Sequence, residues 1–245
     1  MDGHRTGVRA VAGSDWESAL GSIQDGSYVS PSGAVFSGGV TPEAAKVLLD
    51  VQPGMSYLKE ILGHSPAPMT KGRPESPLSN WAVDGLMKGV EHVTGRKVDV
   101  GITNMGGIRT DMPAGDVLMD DIVSMFPFKN TLCYIALKGK DLRAVFEQMA
   151  STRVEALGGV ELVVNDGAVE SVLIGGKPLE DSGIYGLATI DFLLDGGDGL
   201  SLAKNAKELI ITDVLLNDWF VSYCRELNAA GEMISASEDG RVVVK

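Results

Sequence analysis

Three short segments combine residue types that grip small polar ligands. The first is Asn104-Met105-Gly106-Gly107-Ile108-Arg109. Its adjacent glycines let the main chain approach a ligand closely, and Arg109 offers a planar guanidinium fork suited to a phosphate, a carboxylate or a sugar oxygen. The same residues also read as a tight turn with Arg109 bonded to local carbonyls, and the segment alone does not choose between the two. The second segment, Pro127-Phe128-Lys129-Asn130, sets an aromatic ring beside an amide, a pairing that stacks on a nucleobase and hydrogen-bonds its edge. A lone phenylalanine is more often a core side chain, so Phe128 too carries two readings. The third runs from Phe192 to Gly199, a glycine-rich loop in which Asp198 is placed to accept hydrogen bonds from two ribose hydroxyls, as acidic residues do in dinucleotide sites. A calcium loop built on Asp195 and Asp198 would need more oxygen ligands than this spacing supplies.

Other chemistries lack their residues. The histidines are His4, His64 and His92, far apart and without ligand spacing, so the sequence offers no set for a catalytic metal centre. Neither a Gly-x-x-x-x-Gly-Lys-Ser/Thr phosphate loop nor a Gly-x-Ser-x-Gly nucleophile elbow occurs. With 33 acidic against 21 basic residues, the net charge of -12 opposes general binding to nucleic acid or to anionic membranes. An anionic ligand must therefore be held by a few local arginines. Cys133 and Cys224 both lie in apolar stretches and read as buried thiols. No run reaches the roughly 18 consecutive apolar residues of a membrane span. The start, Met1-Asp2-Gly3-His4, shows neither the basic region nor the apolar region of a signal peptide.

The elements that must hold these segments follow from periodicity. Residues 1–40, rich in Gly and Ser, read as an irregular N-terminal segment with at most a short strand, and residues 41–245 as the folded domain. Thr41-Pro42 reads as an N-cap and first helical residue of an apolar helical pattern reaching Ile61 and Leu62, which Pro53-Gly54 should kink or split. Ser76-Pro77 opens a second helix closed by Gly95. Val98, Val100 and Ile102 alternate with polar or small residues as a half-buried strand running into Asn104. A short helix at 120–125, a strand at 131–137 and a helix at 140–150 come next. Short strands joined by Asp166-Gly167 and Gly175-Gly176 follow, then a strand at 183–190, a helix at 214–229 capped by Asp213, and a closing strand at 241–244. Strands that cluster without intervening helices favour an α+β fold, a mixed or antiparallel sheet packed with helices, over a doubly wound one.

Taken in order, Asn-x-Gly-Gly-Ile-Arg, Gly115-Asp116, Pro-Phe-x-Asn and Asp-Phe-x-x-x-Gly-Gly-Asp-Gly resemble the C-terminal, substrate-binding domain of the 5′-nucleotidase family. Upstream, Glu75-Ser76-Pro77-Leu78-Ser79-Asn80 is similar to the family's Glu-Ser-x-Leu-Gly-Asn helix start, with Ser79 in place of glycine, and the resemblance spans residues 73–240. It implies that Phe128 and Phe192 sandwich a nucleobase, that Asn104, Gly107, Arg109 and Asn130 line the ligand, that Asp198 holds the ribose, that Gly159 lies near the base, and that Arg73 supplies a further arginine. It implies no cofactor on this chain, because family enzymes hold two metals in an N-terminal metallophosphatase domain to which residues 1–72 bear no resemblance. A periplasmic or cell-surface location is also implied by the family rather than by any signal in this sequence.

The expected function is therefore recognition of a nucleoside monophosphate or nucleoside, with hydrolysis carried by a separate metallophosphatase domain or subunit. A non-catalytic nucleoside-scavenging or sensing module is the alternative. A complete hydrolase with an unrecognised centre is a third reading, opposed by the scarcity of histidine.

Overall fold

The computed structural model describes residues 19–245, so His4 and the start of the N-terminal segment lie outside the described residues. Its centre is a five-stranded sheet of order β13-β7-β12-β5-β8, made of Glu208–Leu215 (β13), Thr131–Lys138 (β7), Ile184–Ile190 (β12), Val100–Thr103 (β5) and Ala156–Gly158 (β8). Within it only β12 and β5 pair in parallel. A four-stranded sheet of order β11-β10-β9-β14 adjoins it, from Lys177–Pro178 (β11), Ala168–Ile174 (β10), Val160–Asn165 (β9) and Val242–Val244 (β14). Ile61–Ser65 (β4) and Gly115–Leu118 (β6) form a separate antiparallel pair. Helices pack on these sheets, and the fold is of the α+β class with mixed strand directions. No helix among the described residues is long and apolar enough to cross a membrane.

Helix α2 (Pro77–Thr94) is the principal cover of the central sheet. Its start is set by Ser76: the Ser76 hydroxyl accepts from Ser79 N at 3.2 Å, and Ser79 Oγ accepts from Ser76 N at 2.9 Å. This reciprocal cap satisfies amides that the first helical turn would leave orphaned. Its end is set by Gly95 at φ +64, the left-handed conformation that glycine adopts without Cβ strain. Between them Leu78, Trp81, Ala82, Leu86 and Val90 are buried. Gly85 and Gly89 let α5 (Leu216–Ala229) approach: a Cβ on Gly85 would sit 2.5 Å from the Phe220 ring, and one on Gly89 2.6 Å from Trp219 Nε1. In that groove the Trp219 indole donates to the Gly85 carbonyl at 2.8 Å.

Four expectations are revised. β5 is buried along its whole length rather than half-buried, because its small residues face a helix and not water. A Cβ on Gly101 would lie 2.6 Å from Met87 Cγ and 2.8 Å from Val83 on α2. The first helix, α1 (Thr41–Val51), begins with Thr41 inside it and Val40 at the cap, and it stops at Val51. Residues Pro53–Lys59 form 3-10 turns, and Ile61 and Leu62 belong to β4 because they pair with β6. The last helix starts at Leu216, since pairing of β13 with β7 continues to Leu215 opposite Thr131 and claims the residues expected to cap and open it. The N-terminal segment holds three antiparallel strands, Ser22–Gln24, Ser27–Val29 and Val35–Phe36, the first two joined by Asp25-Gly26, both at positive φ.

Helix α3 (Met119–Met125), β7, helix α4 (Gly139–Ser151), the hairpins at Asp166-Gly167 and Gly175-Gly176, β12 and β14 stand where the periodicity places them, within one or two residues at their ends.

Candidate functional site

Strand direction brings the three segments to one end of the central sheet. β5 and β12 run in parallel, so the Asn104 loop and the 191–199 loop leave from the same side. β7 runs antiparallel to β12, with Leu132 opposite Ile190, so the 126–130 loop enters there too. Asp191 ties two of these loops together, its Oδ1 accepting from Thr131 N at 3.2 Å and from Phe192 N at 2.8 Å. The Leu216 amide donates to the Asn130 carbonyl at 2.8 Å, which fixes the end of the 126–130 loop to the start of α5.

Asn104 and Asp198 make the central contact. Asn104 is buried, and its Nδ2 donates to Asp198 Oδ2 at 2.7 Å across 94 residues of sequence. A carboxylate only accepts here, so the amide nitrogen faces Asp198 and Oδ1 is left without a hydrogen-bond partner among the described residues. An unpaired buried acceptor is costly in a finished core and reasonable where a ligand donor completes it. Asp198 itself sits at φ +48 between Gly196 at φ +91 and Gly199 at φ +81, a tightly wound loop that carries the carboxylate to Asn104. Gln148 of α4 holds this loop from behind, donating to the Gly199 carbonyl at 2.6 Å.

Phe128 and Phe192 are 47% and 46% exposed, far too open for core residues. The Arg109 guanidinium lies over the Phe128 ring, 5.9 Å from its centroid, and donates to the Gly106 carbonyl at 3.1 Å. The tight-turn reading of Arg109 thus describes one of its bonds, while its guanidinium stays exposed over the aromatic face. Gly107 packs under Asn104, where a Cβ would lie 2.7 Å from Oδ1.

Two expected residues stand apart. Gly159 lies at the opposite end of β5 from Asn104, because β8 pairs antiparallel with β5 and puts Gly158 opposite Gly101. Its φ of +71 and a would-be Cβ 2.2 Å from the Asp99 carbonyl explain the glycine by backbone crowding. Arg73 is turned to Glu155, donating Nη2 to both carboxylate oxygens at 3.0 Å and Nε to the Val154 carbonyl at 3.0 Å. The sequence does not single out Glu155, Asp191 and Gln148 as site residues, since their contacts to Met105, Thr131 and Gly199 reach across 50, 60 and 51 residues.

Among the described residues no three His, Cys, Asp or Glu side chains are grouped to hold a metal ion. His64 pairs with Asp116 at 3.4 Å, and the His92 ring lies 5.6 Å from that of Trp219. Cys133, near the start of β7, is buried, and burial pushes its thiol up to about 11.

Comparison with known proteins identifies the family and the fold. Residues 60–205, more than half of the chain, match the family described as 5′-nucleotidase, C-terminal domain, and the chain belongs to that family. A 5′-nucleotidase of Vibrio cholerae is 31% identical over 120 residues, covering 47% of this chain and 22% of its own. Protein UshA of Yersinia enterocolitica is 35% identical over 106 residues, covering 41% and 19%. A cell wall protein of Listeria monocytogenes is 29% identical over 206 residues, 76% of this chain and 26% of its own. A 5′-nucleotidase precursor of Thermus thermophilus shares the fold with a TM-score of 0.72 at 24% identity, over 89% of this chain and 45% of that one. The matches with the Vibrio and Yersinia proteins thus take in only about a fifth of the length of each.

Proposed function

We propose that this chain recognises the nucleoside part of a nucleoside monophosphate or a free nucleoside. The base stacks between Phe128 and Phe192, and Asp198 accepts from the ribose hydroxyls. Asn104, Asn130 and Arg109 supply polar edges, and Arg109 offers its guanidinium to a phosphate. The observation that carries the reading is the Asn104–Asp198 hydrogen bond at the sheet end, with an unsatisfied amide oxygen beside it and two half-exposed phenylalanines on the adjoining loops. In this reading Arg73 and Gly159 do not touch the ligand.

Hydrolysis belongs to a separate metallophosphatase domain or subunit carrying two divalent metals, in keeping with the portion of the relatives that this chain does not match. A periplasmic or cell-surface setting goes with the reading, and the Listeria relative is named as a cell wall protein.

Calorimetric titration of the purified chain with AMP and with adenosine tests the proposal. Base stacking on an aromatic contributes roughly 1–3 kcal/mol, so Phe128→Ala and Phe192→Ala should each weaken adenosine binding about 5- to 150-fold. Unchanged affinity in both variants would sink the stacking arrangement.

A further inference from the structure

We propose that Glu155 is a positioning residue for the nucleoside site, a buried carboxylate held between two arginines that fixes where the Asn104 loop begins. This rests on the nucleoside reading for its functional consequence, although the structural claim is testable without it.

The Glu155 side chain is 3% exposed, and it is met from three sides. Oε2 accepts from the Met105 amide at 2.6 Å. Arg73 Nη2 reaches both oxygens at 3.0 Å, and Arg153 Nε reaches Oε1 at 2.9 Å. A carboxylate taken out of water is tolerated when its charge is matched and its lone pairs are filled, and here both conditions hold. Nothing in the core requires a charge at this point. An apolar residue before β8 would avoid the desolvation cost, so the charge needs a reason.

Met105 supplies that reason. The ladder between β5 and β8 runs to Thr103 opposite Ala156, and there β5 ends. The next amide of the Asn104 loop to need a partner on this side is that of Met105, which opens the single turn Met105–Gly107. Glu155, the residue just before Ala156, continues the ladder by one bond from a side chain instead of a main-chain carbonyl. Asn104 is thus pinned on both flanks, by the Thr103 pairing and by the Met105–Glu155 bond. Its side chain is left with little choice but to lie against Asp198.

The two arginines set the carboxylate's position in turn. Arg73 precedes α2 and also donates to the Val154 carbonyl, while Arg153 belongs to the strand approach itself. Arg73 therefore reaches the nucleoside site through Glu155 and the Met105 amide, not by contact with the ligand. Loss of the carboxylate would free the Met105 amide, loosen the turn and let Asn104 leave Asp198.

The test is Glu155→Gln in the full chain, which keeps size and one acceptor but cannot satisfy both arginines and the amide. Amide hydrogen exchange at Met105 is read by NMR beside adenosine affinity by calorimetry and the urea midpoint. The expected result is at least tenfold faster exchange at Met105 and at least tenfold weaker adenosine binding, with exchange in the α2 core unchanged. Purely structural packing would instead lower the urea midpoint and speed exchange throughout. That outcome, or unchanged Met105 exchange, overturns the proposal. If the wild-type chain does not bind adenosine, the nucleoside reading fails while the exchange measurement still decides the positioning claim. Should Glu155→Gln not fold, Arg153→Ala at the more exposed partner takes its place, with faster Met105 exchange supporting the proposal and unchanged exchange overturning it.

Discussion

Asn104 and Asp198, 94 residues apart in sequence, meet at 2.7 Å because β5 and β12 lie side by side and point the same way. The contact pre-positions a carboxylate with one oxygen engaged and the rest of its acceptor capacity available. A sugar with adjacent hydroxyls matches such an acceptor, since the oxygens of one carboxylate span two neighbouring donors.

Replacing the charge while keeping the loop tests that match. Asp198→Asn retains the size and tolerates φ near +48, where asparagine is among the least strained residues. A hydrogen bond to a charged acceptor is stronger than a neutral one by about 1 kcal/mol, so adenosine should bind roughly five- to tenfold more weakly. Titration with 2′,3′-dideoxyadenosine completes the comparison: wild type and variant should bind it equally. An equal drop for both ligands would show that Asp198 acts on the fold and not on the sugar.

Gly107 gives a second test through geometry. An added Cβ would lie 2.7 Å from Asn104 Oδ1, whereas one on Gly106 would lie 3.6 Å from Nδ2, an ordinary contact. Gly107→Ala should therefore rotate the Asn104 amide off Asp198 and weaken adenosine binding about tenfold or more, with a melting temperature close to that of the native chain. Gly106→Ala should bind nearly as wild type. Calorimetry on the pair, with a thermal melt of each, separates a displaced side chain from a general loss of structure.

Where the sequence was readable, a local rule was strong enough to act alone. Ser76-Pro77 and Gly95 mark the ends of α2 because capping is decided within one turn, and Asp166-Gly167 marks a hairpin because positive φ at both positions selects those residues. Where it misled, a distant partner decided. Gly101 reads as the exposed side of a strand until α2 is laid over it, and Asp213-Val214 reads as the start of a helix until the pairing with β7 claims it for β13. The site divides in the same way. Asn104, Arg109, Phe128, Phe192 and Asp198 stand in short glycine- or aromatic-marked segments, but Glu155 is defined by Met105 and Arg73, 50 and 82 positions away. Gly159 has a backbone reason of its own to be glycine, the Asp99 carbonyl behind it, and that neighbour is likewise set by the fold.

The thiols provide a test of the core. Cys133 and Cys224 are fully buried, and burial pushes them up to about 11 and about 12. Only the thiolate attacks disulfide reagents, and it is rare at pH 8 for groups so shifted. Native protein should release almost no thionitrobenzoate from Ellman's reagent over several minutes, and denatured protein should release two equivalents, one for each cysteine of the chain. Rapid release of one equivalent from native protein would mean that the strand or helix bearing that thiol opens readily.

Acid sensitivity is expected at the C-terminal strap. Hydrogen bonds from Arg241 hold the Asp239 carboxyl below the usual carboxylate range, with the Asp239–Arg241 pair at 2.7 Å and Arg241 also bonded to Asp84 at 2.7 Å. A carboxyl whose folded value is depressed adds stability above its unfolded value near 3.9, and that stability is lost as pH falls through the folded value. Asp239 is half-exposed, so the contribution is limited to about 1 kcal/mol or less. Urea midpoints should therefore show Asp239→Asn less stable than wild type at pH 7, with the gap narrowing as pH falls below about 4 and closing once Asp239 is protonated in the folded protein. A gap that stays constant down to pH 3 would mean that Asp239 acts through its backbone contacts and not through its charge.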